Sequence, residues 1–385
     1  MKKYFLFCAV FALVLVGAGC SRVDDGEDTR MNDDPSSMKE ETGPIKLGFI
    51  GPLTADAAEL GNDARIATEI AVEEINEAGG INGRELQVIY EDGKCNPKDG
   101  TSAAVKLSEV DQVPVIIGAL CSGETTGAAP VAERNETVLF SYCSMSSAPP
   151  ISEAGDYIFR SYPSDAFQGK FAAEYIYNEM GKRKVAVLAG LTDWGIGIRD
   201  AFVNRFEELG GEIVLSANFT QGNKDFRTEL TKVKNSEAEL LYFAAFTDSA
   251  VAGLKQIREV GLEMEVFGGD AWSDPDVQNA EGGEGIMFTL PSITTDSDEL
   301  KAKIEEKGGN TTVCVPRAYD NTKLIAEIMT EVGTNSRKIK DALYKVKDYE
   351  GVGGLLTMDE KGDPTIAMYR VMQIVNGEEK ELFKQ

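Results

Sequence analysis

From Ile45 onward, short apolar runs alternate with stretches whose apolar residues recur at helical spacing. IKLGFIGPL (45–53) is a continuous apolar run ending in Gly-Pro, the pattern of a buried strand entering a loop. Between Asn62 and Ala78, Ile66, Ile70, Ala71 and Ile75 share one helical face, and Gly79-Gly80 closes the helix. Leu86–Glu91 reads as a second strand. Pro97–Val110 reads as a helix with proline in its first turn and Ala103, Ala104 and Leu107 facing inward. Val113–Ala119 is a third strand, followed by a helix near Thr125–Arg134 and a strand at Val138–Tyr142. This alternation predicts a parallel sheet with helices on both faces.

The rhythm then restarts. A helix over Asp165–Met180 leads to a buried strand at Lys184–Ala189. Helices at Gly197–Leu209, Asp225–Lys234 and Ser249–Val260 alternate with strands at Ile213–Phe219, Leu240–Ala245 and Val266–Gly269. Seven or more apolar strands exceed one small sheet, so two α/β lobes are expected. Towards the C-terminus, Ile286–Leu290 is a strand, Arg317–Val332 a long helix, and Leu355–Met358 and Ile366–Val375 closing strands. Asn376-Gly377 marks a hairpin turn.

The segment before Ile45 breaks the pattern. Lys2 and Lys3 precede an apolar run from Tyr4 to Val16 that is short for a membrane span. Gly17-Ala18-Gly19-Cys20 follows, so residues 1–19 read as an export signal. It is either a lipoprotein signal, with lipid added to Cys20, or an ordinary secretory signal cut at small residues. Gly17 departs from the aliphatic residue usual in the lipoprotein pattern. Residues 20–44 form an acidic tether without enough apolar surface to fold.

Composition narrows the function. Of 385 residues, 39 are Lys or Arg and 64 are Asp or Glu, giving a net charge of −25. Nucleic-acid binding is not expected without a basic face. There is no histidine, which removes Ser-His-Asp and Cys-His pairs, His-based zinc sites and His general bases. No G-x-S-x-G elbow or phosphate loop is present; Gly79-Gly80-Ile81-Asn82-Gly83 is a helix-end turn. An enzyme is not expected, and no cofactor or metal is implied.

Two cysteines follow predicted strands on one sheet edge, Cys95 after the second strand and Cys121 after the third. In an exported protein these form a disulfide or remain two buried thiols. Ser122 opens a predicted helix, where it can serve as a plain N-cap or meet an anion. Ser141-Tyr142-Cys143-Ser144-Met145-Ser146 is a second hydroxyl-rich loop, and Asp270 follows a strand ending in Gly268-Gly269.

Several stretches together resemble the leucine/isoleucine/valine-binding branch of the type I periplasmic binding proteins. They are KLGFIGPLTADAAELGNDARIATEIAVEEINEAGGINGRELQVIYEDGKCNPKDG (46–100), VIIGALCSGETTGAAPVAE (115–133), KVAVLAGLTDWGIG (184–197), LLYFAAFTDSAVAGLKQIREVGL (240–262), RAYDNTKLIAE (317–327) and GGLLTMDEKGDP (353–364). The resemblance covers essentially all of residues 45–385. It implies two doubly wound parallel-sheet lobes joined by three crossover strands near 161–164, 289–293 and 347–353, closing on a ligand like a flytrap. The first lobe would hold 45–162 plus 291–349, and the second 163–290 plus 350–385.

By the same resemblance, Cys95 and Cys121 form a bridge, while pairing of Cys143 with Cys314 is left open. The ligand is an amino acid. Its carboxylate is met by Ser122, with Ser144 and Ser146 in the second loop. Its ammonium is met by Asp270, where the family carries an acid. Trp194 and Phe246 stand where relatives place tyrosines over the ligand. Leu60 replaces a pocket tyrosine of some relatives, and Met145 replaces a usual Thr. Trp272 is a further aromatic near the cleft. The implied role is a monomeric, exported, lipid-anchored binding protein delivering its ligand to an ABC permease. The alternative is a sensor for an amide, urea or other small carboxylate.

Overall fold

The computed structural model describes residues 43–146, 150–293, 297–365 and 368–384. The signal, Cys20 and all but the last two residues of the tether lie outside them. The first half runs β1 (Ile45–Gly51), α1 (Ala58–Glu77), β2 (Leu86–Asp92), α2 (Pro97–Val105), β3 (Val115–Ile117), α3 (Ser122–Arg134), β4 (Val138–Ser141) and β5 (Ile158–Arg160). The second half begins with α4 (Asp165–Glu174), β6 (Lys184–Gly190), α5 (Asp193–Glu208), β7 (Glu212–Phe219), α6 (Arg227–Lys234), β8 (Leu240–Ala244), α7 (Thr247–Glu259) and β9 (Glu265–Gly268). It continues through α8 (Pro275–Gln278), β10 (Met287–Pro291), α9 (Asp298–Glu306), α10 (Val315–Val332) and α11 (Ser336–Leu343). The chain closes with β11 (Tyr349–Gly351), β12 (Gly354–Leu356), β13 (Tyr369–Val375) and β14 (Glu378–Lys384).

Two sheets carry the core. The first has the order β2-β1-β3-β4-β5 and is parallel throughout. The second has the order β14-β13-β10-β9-β8-β6-β7. Its strands from β10 to β7 are parallel, and β13 and β14 add antiparallel at the β10 side. Read as successive strands, β1–β5 and β6–β10 share one winding order, with the second strand outside the first. Each sheet therefore reverses direction between its first and third strands, β1/β3 and β6/β8. Ligand crevices in open α/β sheets form outside the carboxyl ends of strands at such reversals.

The strands form where the apolar runs predict. β3, β4, β8 and β10 are buried along their whole length, as strands covered by helices on both faces must be. Several helices start earlier than periodicity indicates, and in α5 the first turn is fixed by capping. The Thr192 side chain accepts from Gly195 N at 3.0 Å, so α5 begins at Asp193 and takes Trp194 into its first turn. Asn376 and Gly377, with φ of 56° and 76°, make the two-residue turn between β13 and β14.

Six elements were not expected from the pattern: β5, α8, α9, α11, β11 and β14. β5 has three residues, and β14 is an exposed edge strand with the polar sequence EEKELFK. The third passage between sheets also comes later than 347–353. Gly362 O still accepts from Arg160 N of β5 at 3.1 Å, and Lys361 pairs with Glu153. Residues up to about 363 thus stay beside the first sheet, because β11 and β12 pair only with each other.

Candidate functional site

The two β-strand reversals face each other across a small cavity of about 20 Å³, space for a single water molecule. The first-sheet side contributes Leu60 from α1, Leu120, Cys121 and Ser122 after β3, Cys143 and Met145 after β4, and Val313 and Cys314 before α10. The second-sheet side contributes Trp194 after β6, Phe246 after β8, and Asp270 and Ala271 after β9. A larger open groove of about 640 Å³ lies between α10 and α11. It is on the outer surface, away from the strand ends, and its charged rim of Glu, Lys and Asp shows no convergence.

Ser122 is the first residue of α3, and Cys121 occupies the cap position. The Ser122 hydroxyl does not cap the helix. It accepts the N–H groups of Met145 at 3.2 Å and Ser146 at 3.1 Å. With both lone pairs engaged, its own proton is left to donate. Beneath it, Glu124 accepts from Cys95 N at 2.9 Å and Cys121 N at 3.0 Å. Burial pushes its carboxyl up to about 8, against the N–H bonds that favour the ionised form. The sequence offered a signal for Glu124, a Glu three residues after the cap position, but a cysteine cap hides it.

Both cysteine pairs are closed. Cys95 is bridged to Cys121, and Cys143 to Cys314, 171 residues further on. The second bridge ties the loop after β4 to the start of α10, so three of the four sulfurs border the cavity.

Ser144 and Ser146 are placed differently from Ser122. Neither is among the cavity-lining residues. The Ser144 hydroxyl turns into the loop, against the Thr125 hydroxyl and the carbonyls of Ala119, Leu120 and Cys121. Ser144 thus fastens the loop, and Ser146 reaches the site through its backbone N–H. A hydroxyl-rich loop has the same sequence whichever way each hydroxyl turns.

On the facing wall, Trp194 and Phe246 pack with ring centroids 4.7 Å apart and planes at 32°. Asp270 is buried and accepts from the Tyr162 hydroxyl at 2.7 Å through Oδ2. Burial pushes the Asp270 carboxyl above the usual carboxylate range, with the Tyr162 bond opposing that shift. Tyr162 lies on the first crossover, and no periodicity marks it in the sequence. The two glycines before Asp270 have a steric cause. A Cβ on Gly268 would come within 2.3 Å of the Trp272 ring, and one on Gly269 within 2.8 Å of the Trp194 ring. Trp272 itself does not line the cavity. It is fully buried, with Nε1 donating to Ala245 O at 3.1 Å.

Among the described residues no His/Cys/Asp/Glu group could hold a metal ion, and no helix is long and apolar enough to cross a membrane.

Comparison with known proteins places this arrangement. A model of the periplasmic binding protein family matches residues 44–379. The leucine-, isoleucine-, valine-, threonine- and alanine-binding protein of Pseudomonas aeruginosa is 30% identical over 85% of this chain and 88% of its own. The Leu/Ile/Val-binding protein of Escherichia coli is 27% identical over 83% and 88%. Among solved structures, the branched-chain amino acid transporter substrate binding protein LivJ of Streptococcus pneumoniae, in complex with isoleucine, superposes with a TM-score of 0.80. It is 26% identical and covers 89% of this chain and 100% of its own. A solute binding protein of an ABC transporter from Rhodopseudomonas palustris, in complex with benzoate, has the same fold, with a TM-score of 0.79, 17% identity, and 89% and 96% coverage. By their names the first two are amino-acid-binding proteins, and the two solved structures are substrate- or solute-binding proteins of transporters. With two sheets of matching winding order facing one cavity, and a family match over nearly the whole folded body, the chain belongs to the type I periplasmic binding proteins of the branched-chain amino acid family.

Proposed function

We propose that the protein is the exported substrate-binding component of an ABC importer, taking an amino acid with an apolar side chain between two closing lobes. The observation that carries this reading is the polarity of the cavity between the strand ends. At one end stands a hydroxyl donor at a helix N-terminus, Ser122, which suits a carboxylate. At the other stands Asp270, a buried carboxyl at the cavity wall that accepts from Tyr162 through Oδ2 and suits an ammonium. Between them Leu60, Met145, Val313, Trp194 and Phe246 offer only apolar surface. The first lobe is 45–162 plus 291 to about 363, and the second is 163–290 plus the remainder to 385. The residues that line the cavity are all buried, so entry requires the lobes to part and the ligand then biases them towards closure. The closed form would dock, as a monomer, on a membrane permease, tethered through residues 20–44 and a lipid on Cys20.

Titration calorimetry with the twenty amino acids, and with benzoate and 4-hydroxybenzoate, tests the reading. Saturable heat from apolar L-amino acids is expected. Silence across the amino acids would remove it, and heat from the benzoates alone would move the protein to aromatic acids.

A further inference from the structure

Arg160 ends β5 and does not line the cavity, yet it is connected to the cavity's donor groups. It is 2% exposed. Its Nε and Nη2 donate to the two carboxylate oxygens of Asp363 at 2.5 and 2.9 Å, a two-pronged pair that fixes the guanidinium plane. Its Nη1 donates to the carbonyl oxygens of Met145 at 3.0 Å and Ser146 at 3.1 Å. The carbonyl of Met145 and the N–H of Ser146 belong to one trans peptide plane and point in opposite directions. Arg160, together with the Asp165 N–H at 2.9 Å, therefore holds one side of the peptide whose other side donates to Ser122 Oγ. A cation on the carbonyl also polarises that peptide and strengthens its N–H as a donor.

Asp363 is itself fixed, its N–H donating to Asp359 Oδ1 at 2.9 Å. A buried ion pair adds little net stability over apolar filling of the same volume. The fork geometry that Arg alone supplies is what this position uses. We propose that Arg160, locked by Asp363, is a positioning residue for the carboxylate end of the ligand site, setting the Met145–Ser146 peptide and through it the Ser122 hydroxyl. The proposal rests on the amino-acid reading above for its effect on binding, but not for its effect on the loop.

Arg160→Lys keeps the charge and loses the fork. Two measurements on the full-length protein decide the matter. By amide hydrogen exchange, the Ser146 N–H should exchange about tenfold faster or more, the worth of one charge-assisted hydrogen bond, while amides of β1 and β6 stay unchanged. By calorimetry, the affinity ratio of L-leucine to L-leucinol, which lacks the carboxylate, should shrink by about tenfold. Unchanged exchange at Ser146, or equal weakening of both ligands, would overturn the proposal. If L-leucine gives no heat with the unaltered protein, the amino-acid reading fails for that ligand and the exchange measurement alone decides on Arg160. Where either ligand is too weak for a ratio, the same applies. Asp363→Asn, which frees the fork without removing it, should move both readouts in the same direction by less, and carries the test if Arg160→Lys does not fold.

Discussion

The two walls of the cavity are built by different means. The wall from the five-stranded sheet is knitted: two disulfides, the Ser122 and Ser144 hydroxyls and the Glu124 carboxyl fasten its loops to one another. The wall from the seven-stranded sheet is packed: Trp194, Phe246 and Asp270 stand at strand ends, spaced by glycines, with the Asp270 carboxylate held by Tyr162 on the crossover, by Gln168 and by local N–H groups. The knitted wall is organised before a ligand arrives, which lowers the ordering cost of binding. It offers backbone and hydroxyl donors that any carboxylate could use. The packed wall supplies the aromatic surface and the acid, so on the proposed reading discrimination between ligands is expected there.

This contrast can be broken from either side. The largest effect is expected at Asp270→Ala, which leaves a ligand ammonium buried without its partner. Affinity for an amino acid should fall by about 3–5 kcal/mol, read by calorimetry. A near-neutral result would strip Asp270 of its assigned role. Gly269→Ala comes next. The added Cβ pushes on Trp194 and should cost about 1–3 kcal/mol of affinity by overpacking. It should weaken large side chains more than small ones, and uniform weakening would mean the packed wall does not select.

The smallest expected effect lies on the knitted wall and concerns stability. The Glu124 carboxyl is raised on folding from 4.5 to about 8. The folded state therefore holds a proton that the unfolded chain releases. The resulting stability is present below the unfolded value and is lost as pH rises through about 8. The unfolding free energy from denaturant titration should fall by about 1 kcal/mol per pH unit between pH ~6 and ~7. Asp63 and Asp320, each raised to about 6, act in the same direction at lower pH. Glu124→Gln should flatten the slope just below pH ~8, and an unaltered slope would assign it to other carboxyls.

The packed wall was the more legible of the two from sequence. Trp194, Phe246 and Asp270 follow strands that announce themselves as apolar runs, so their position at the strand ends could be read directly. What held them was less visible, because Tyr162 sits in a crossover with no periodic signal. The knitted wall depends on partners far apart in the chain. Cys143 and Cys314 are 171 residues apart, and no spacing rule pairs them. Ser144 and Ser122 carry the same hydroxyl, but only the fold decides that one turns into the loop and the other to the cavity. The missed elements have the same origin. β14 is polar and exposed, and becomes a strand only because β13 presents an edge to pair with.

The account stands on one claim above all, that a carboxylate at Ser122 and an ammonium at Asp270 are bound together. Calorimetry with L-leucine, its amino alcohol and its des-amino acid 4-methylpentanoate tests this most directly. The account predicts saturable heat from L-leucine and a loss of about 2 kcal/mol or more for each analogue. Equal affinity for L-leucine and 4-methylpentanoate would contradict it.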